Sequence, residues 1–338
     1  MKKSRGAEIK NDILRTLRED SPDFSSGEKM SGVFGLSRAA LWKHIESLRK
    51  EGYVIESFPR KGYRLKKVPD KLTGEVISSG LKTGLFGRSE IHCFDSVAST
   101  NEVAYSFASE GAKEGTIVAA ETQTKGRGRM GRVWTSPSGG GLYFSIILRP
   151  EIRIDETPAV TLVAAASVAG TIREVSGLDA RVKWPNDIFI GRRKVCGILA
   201  ETRAHPDRTD FLVLGIGINV NTSAGKLPTE ATSIKGETGK NMDRVSFLRS
   251  VLENLERSYL LFVENGFSVF RDELRDMSNV IGKVVSIETN RSVVNGKAVD
   301  IDERGALMVR DAEGNVHSIF SGDVVLPLDG GLWEAAEE

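Results

Sequence analysis

Two cysteines, Cys93 and Cys196, are all that 338 residues contain, and they do not sit at a metal-ligand spacing. A disulfide framework or zinc scaffold is thereby excluded, and a reducing cytoplasm is the expected compartment. Long apolar runs are equally scarce. The nearest, residues 160–172, is Ala-rich and broken by Thr161, Ser167 and Gly170. It falls short of a bilayer span and reads as a buried core helix, so no membrane partner is expected. Met1-Lys2-Lys3 is basic, but no apolar signal-peptide core follows it. Net charge is nearly absent too, at +1. What remains is ordinary for a globular protein, 40% hydrophobic and 28% charged, on a chain long enough for two or three domains.

The small total charge hides an asymmetry. Residues 1–68 hold sixteen Lys and Arg against nine Asp and Glu, a local +7, while the other 270 residues hold 31 against 37, a local −6. A basic N-terminal module with an anionic partner is expected. Residues 7–17 have helical spacing, with Ile9, Ile13, Leu14 and Leu17 on one side. Residues 27–34 form a second short helix. Gly35-Leu36-Ser37 is a tight turn, and Ser37 caps a third helix over 38–50. That helix turns Ala40, Leu41, Ile45 and Leu48 inward, and Arg38, Lys43, His44, Ser47, Arg49 and Lys50 outward. Residues 53–58 and 62–65 then flank Pro59-Arg60-Lys61, a hairpin with a basic tip. Together these describe a winged helix-turn-helix over 1–68. Ser37, Arg38, Lys43 and His44 would face DNA from the recognition helix, and Arg60 and Lys61 from the wing.

Residues 69–74 read as a linker, and 75–277 alternate strand and helix patterns, an α+β domain with a mixed sheet. Strands are expected near 91–94, 115–121, 142–149, 181–183, 188–190, 194–202 and 211–220. Helices are expected over 157–175 and 244–264, and from Ser99-Thr100-Asn101-Glu102, which has the form of a capping box, to Gly111. Three segments carry candidate chemistry. The loop 124–132 alternates Gly126, Gly128 and Gly131 with Arg127, Arg129 and Arg132; glycine admits a close ligand, and arginine offers charged forks for carboxylate and phosphate. Lys183-Trp184-Pro185-Asn186-Asp187 presents two oxygen-bearing side chains at a turn, suited to Mg²⁺ on a nucleotide. Lys194 stands at the mouth of an apolar strand with Gly197 inside it. A weaker fourth feature is Gly215-Ile216-Gly217-Ile218-Asn219. Read singly, each has a bland alternative: a solvated loop, an ordinary turn, a surface lysine and a twisted strand end. Residues 280–328 change to short β runs with turns at Asn295-Gly296, Glu303-Arg304-Gly305 and Glu313-Gly314-Asn315, which suggests a small barrel; 330–338 read as a tail.

These segments, in this order and spacing, resemble the biotin–protein ligase family in its bifunctional form, ligase and biotin operon repressor. The resemblance implies a biotin/lipoate-ligase-like central domain and an SH3-like C-terminal one. It implies that Ser99, Thr100, Asn101, Gln123, Arg127, Gly128, Arg129, Lys194 and Gly197 bind biotin, with Arg129 and Lys194 catalytic. Arg132, Trp134 and Asn219 would serve the nucleotide, Trp134 as a surface for adenine, and Asp187 the metal. Met130 departs from relatives that carry another Arg there. The implied substrates are ATP and biotin, with Mg²⁺ as cofactor. The implied partners are a biotin carboxyl carrier protein, operator DNA and a second copy of the chain, recruited when the adenylate binds. Lipoate attachment, and a ligand-sensing regulator without ligase turnover, are the competing readings.

Overall fold

Each helix expected in the basic module forms. The computed structural model describes residues 2–50, 52–67, 70–205, 208–289 and 292–326. The chain divides into two units, Met1–Gly80 and Leu81–Glu338. In the first, α1 (Lys2–Glu19) buries Ile13, Leu14 and Leu17. Helix α2 (Gly27–Phe34) is capped by Ser26 and ended by Gly35 at φ 63°, the left-handed conformation that glycine admits. Ser37 Oγ accepts the Ala40 amide at 3.1 Å, opening α3 (Arg38–Lys50), whose Leu41, Ile45 and Leu48 are buried. Strands β1 (Val54–Phe58) and β2 (Gly62–Lys67) pair antiparallel, and Ser25 joins them through Tyr63. Arg49 departs from its expected outward position. Its Nε and Nη2 donate to the Ile55 carbonyl at 2.9 and 2.6 Å and its Nη1 to Glu46 at 2.6 Å, so it fastens α3 to the wing. After the expected linker, Thr73 caps a short helix, α4 (Gly74–Ser78).

The second unit is built on a seven-stranded mixed sheet in the order β3-β4-β5-β9-β8-β7-β6. Its strands are β3 (Ile91–Phe94), β4 (Ile117–Ala120), β5 (Gly141–Leu148), β6 (Ala180–Lys183), β7 (Asp187–Ile190), β8 (Arg193–His205) and β9 (Arg208–Asn219). Only β3–β4 is parallel among the pairings. Helix α5 (Thr100–Ser109) packs Ala104 and Ala108 on Val118, Ile147, Phe211 and Val213. Helix α6 (Thr157–Ser176) starts with Pro158, ends at Gly177 and is buried over most of its length. The apolar segment is longer than the sequence reading allowed: Ile154–Ser176 is long and apolar enough to cross a membrane, yet 72% of its most apolar window is buried within the protein. After α7 (Ile234–Thr238), helix α8 (Arg244–Asn265) begins at the expected residue, whose burial no pattern signalled. Arg244 is fully buried and donates to Glu121 Oε2 at 3.0 Å and to the Gly141 carbonyl at 2.9 Å. Helix α9 (Arg271–Met277) leads into the last sheet.

That sheet is wholly antiparallel, in the order β13-β12-β11-β10-β14. It comprises β10 (Val284–Glu288), β11 (Val293–Ile301), β12 (Leu307–Arg310), β13 (Val316–Ile319) and β14 (Asp323–Val325). The turn expected at Asn295-Gly296 does not exist: both residues lie inside β11. A Cβ at position 296 would stand 2.2 Å from the Arg310 carbonyl, so glycine here serves close strand approach, not a turn. The expected tail, 330–338, lies outside the described residues.

Candidate functional site

Side chains alternate across a strand, so Phe211, Val213, Gly215, Gly217 and Asn219 of β9 share one face of the sheet. Facing them on β8 are Leu199, opposite Gly215, and Gly197, opposite Gly217. The apolar half of this face carries α5. The other half has almost no side chains, and a cavity of about 420 Å³ opens over it.

Asn101 anchors one wall. Its Oδ1 accepts from Ser145 Oγ at 2.7 Å, and its Nδ2 donates to the Leu199 carbonyl at 3.2 Å and to Glu201 at 2.7 Å. Gly215 makes room for it, since a Cβ there would lie 2.0 Å from Asn101 Oδ1. The Thr100 amide donates to Gln123 Oε1 at 2.8 Å, and Gln123 Nε2 donates to Ser136 at 2.9 Å. The capping box expected at Ser99 is not made: Ser99 forms no side-chain cap, and Glu102 lies 3.4 Å from Arg127 instead. The local pattern was overridden by a partner from a distant loop.

The Gly-Arg loop supplies the cations. Gly128 closes it by donating to the Arg132 carbonyl at 2.7 Å, and Met130 takes φ 53° and stands exposed at its tip. Arg127 lies between Glu102 and Glu201, at 3.4 and 3.5 Å. Arg129 reaches across to Asn186 Oδ1 and the Gly322 carbonyl, both at 3.3 Å, and to Ser321 Oγ at 3.0 Å. Arg132 pairs with Asp323. The C-terminal sheet therefore closes the cavity through residues 321–323, a contribution its composition did not signal.

Lys194 Nζ is 2.7 Å from Asp187 Oδ1 and 5.4 Å from the Trp134 ring. The indole lies over Gly197 and Gly217, where a Cβ would approach it to 3.1 and 2.4 Å. Its Nε1 and the Oδ1 of Asn219 are buried without a hydrogen-bond partner. Two such groups beside one cavity are a donor and an acceptor awaiting a ligand. Burial pulls the Arg129 and Lys183 pKa values down, with Asp323 and Asp187 opposing it at Arg129 and Asp187 first among the opposing charges at Lys183. These cations have lost water, so an incoming anion gains more from them than from solvated ones.

Every residue expected to serve biotin, nucleotide or metal lines this cavity. Lys183, Gly215 and Gly217, which lie in segments the sequence singled out without giving them a role, also line it; sequence reasoning missed Asp323, and Ser145 and Glu201 behind Asn101. Gly215 and Gly217 fall two residues apart on β9, which puts both on the cavity face. Among the described residues, no three His, Cys, Asp or Glu side chains gather as a metal cage.

In the first unit, Arg38 is largely solvated, with Glu28 at 3.5 Å, and Lys43 is exposed. Arg60 (φ 64°) and Lys61 stand at the exposed wing tip. Ser37 spends its hydroxyl on the helix cap. His44 is half-buried, and burial and Lys10 hold its pKa below the ordinary value.

Residues 93–219 match the Biotin/lipoate A/B protein ligase family, residues 10–64 an HTH domain, and residues 280–326 the Biotin protein ligase C terminal domain. The chain is 40% identical to the Bifunctional ligase/repressor BirA of Bacillus subtilis (strain 168), over 94% of this chain and 98% of that one. It is 30% identical to the protein of that name in Escherichia coli (strain K12), over 90% and 93%. Its fold matches the biotin protein ligase from Aquifex aeolicus in complex with biotin and ATP, at TM-score 0.61 and 33% identity over 70% of this chain and 98% of that one.

Proposed function

The chain belongs to the biotin protein ligase family in its bifunctional ligase/repressor form, and from that membership we propose how its residues divide the work. It is an ATP-dependent biotin–protein ligase and a DNA-binding repressor. The modules doing this are 1–68 for DNA, 75–277 for catalysis and 280–328 for closing the site. The observation that carries the catalytic reading is the polarity of one cavity. Thr100, Asn101 and Gln123, with Asn101 against Gly215, give it neutral polar groups, and Arg129, Lys183 and Lys194, with Lys194 against Gly197, give it cations.

Biotin enters with its ring toward the neutral polar groups and its carboxylate toward Lys194. The carboxylate attacks the α-phosphorus of ATP, forming biotinyl-AMP and releasing pyrophosphate. Two anions must meet, so Lys194 and Arg129 offset their repulsion and hold the charge that grows on the phosphate oxygens. Trp134, already across Gly197 and Gly217, covers the mixed anhydride against water, and Asn219 receives a donor from the nucleotide. A lysine amine of the carrier protein then attacks the acyl carbon, and AMP leaves. Asp187, Glu230 and Asp323 line the cavity, but Asp187 is paired with Lys194 and Asp323 with Arg132, so the donor set suits Mg²⁺ borne on the triphosphate, with Asp187 as the side chain that would hold it, rather than a protein cage. When bound, the ion neutralises phosphate charge.

On the DNA side, Arg38, Lys43, Arg60 and Lys61 carry the phosphate contacts. Adenylate orders the Gly-Arg loop and so favours a homodimer able to span two half-sites; one exposed sheet edge serves both that dimer and the carrier. The chain works in the cytoplasm. The deciding measurement is pyrophosphate release from ATP with biotin, lipoate or no acid. Release that requires biotin is expected. Release with lipoate alone makes it a lipoate ligase, and none with either acid makes the cavity a sensor.

A further inference from the structure

Helix α3 has its core face at Leu41, Ile45 and Leu48, and about 100° round from it a large apolar side chain stands in solvent. Trp42 is 53% exposed. Ala39, three residues earlier and so on the same face, is exposed as well. Arg38 and Lys43 flank the pair. Of the other polar groups nearby, Ser37 caps the helix, Arg49 and Glu46 hold each other, and Arg49 holds the Ile55 carbonyl. The front of the helix thus offers two cations and an apolar strip between them, in a module of local charge +7.

We propose that Trp42, with Ala39, selects the DNA sequence by covering thymine methyl groups in the major groove. This rests on the DNA-binding reading above and names which side chain gives it sequence preference. The cations find phosphates or guanine on any duplex. The indole needs an apolar surface, and the one apolar group on a base edge in that groove is the thymine C5-methyl. The positive flanks favour a polyanion over an apolar protein surface as the occupant.

The test uses the full chain with biotin, ATP and Mg²⁺. A preferred duplex is selected from a random-sequence pool, then remade with uracil replacing each thymine in turn, which deletes only the methyl. Wild type should lose about fourfold in affinity per covered methyl. Trp42→Ala should lose most of the uracil penalty, keeping at most the part Ala39 covers, and Trp42→Phe should keep much of it. Both should retain the wild-type salt slope and biotin transfer, which report folding and phosphate contacts. A uracil penalty undiminished in Trp42→Ala, or none in wild type, overturns the proposal while salt-dependent binding keeps the DNA reading. No duplex binding by wild type at low salt overturns both. If Trp42→Ala changes only self-association in sedimentation, the strip is an interface between copies and the proposal falls.

Discussion

Lys194 Nζ and Asp187 Oδ1 lie 2.7 Å apart across the antiparallel pair β7–β8. The ammonium proposed to meet the biotin carboxylate is thus already paired with a carboxylate of the protein. The pair aims the Lys194 ammonium, and a biotin carboxylate or α-phosphate would have to draw it away or share it.

Lys194→Ala should therefore lower adenylate formation by about 10²- to 10³-fold, the loss seen when one charge-stabilising donor is removed. Stability should change by less than about 1 kcal/mol, because the pair is partly solvated. Pyrophosphate release in single turnover, beside a thermal melt, checks both. A variant with wild-type turnover removes Lys194 from the mechanism.

Arg129 ties the loop to Ser321, Gly322 and Asn186. Arg129→Gly should cut those ties, so the adenylate leaves about 10- to 100-fold faster, the worth of one or two charged hydrogen bonds. Freed biotinyl-AMP then acylates lysines at large. Mapping biotin on a protein mixture should show scattered labelling; labelling confined to the carrier would mean the loop closes without Arg129.

Gly215→Ala would push a methyl to within 2.0 Å of Asn101 Oδ1, shifting the wall Asn101 forms. The expected cost is about 1–3 kcal/mol of stability, typical of overpacking, and a KM for biotin that rises more than kcat falls. Gly225→Ala is the control, since nothing lies within 4 Å of its Cβ position. Equal effects of the two would deny Gly215 its spacing role.

His44 concerns DNA and pH. Its pKa is lowered by burial first and by Lys10 second, so it is neutral at pH 7 and gains a proton only below its ordinary range. DNA affinity should be flat from pH 7 to 8 as far as His44 is concerned, and should strengthen only on further acidification, when a new positive charge appears. His44→Gln should match wild type at pH 7.5 and lose that acid-side gain. A loss at pH 7.5 would mean the ring contacts DNA while uncharged.

The winged helix was legible because its signals are local. Gly35 ends one helix, Ser37 starts the next, and the apolar spacing of 41, 45 and 48 marks the buried side, all within a few residues. The Gly-Arg loop and Lys194 were legible in kind, since their composition announces an anion. Their geometry was not. Ser99 and Glu102 look like a capping box, but Arg127 competes for Glu102. Asn295-Gly296 looks like a turn, but the Arg310 carbonyl needs the space a side chain would fill.

Sequence alone determined the module order, the basic charge of the first unit and the residue types of the cavity, because periodicity, caps and charge are properties of neighbouring residues. Tertiary structure alone decided which of them meet. Arg129 and Ser321 are 192 residues apart along the chain and 3.0 Å apart in space, and Gly197 faces Gly217 only because β8 and β9 pair in one register. Strand pairing and loop closure are long-range, and a one-residue slip would turn the glycine floor to the other face of the sheet. The floor is a product of the β8–β9 register, the Lys194–Asp187 pair of the β7–β8 pairing, and the contacts of residues 321–323 of loop closure.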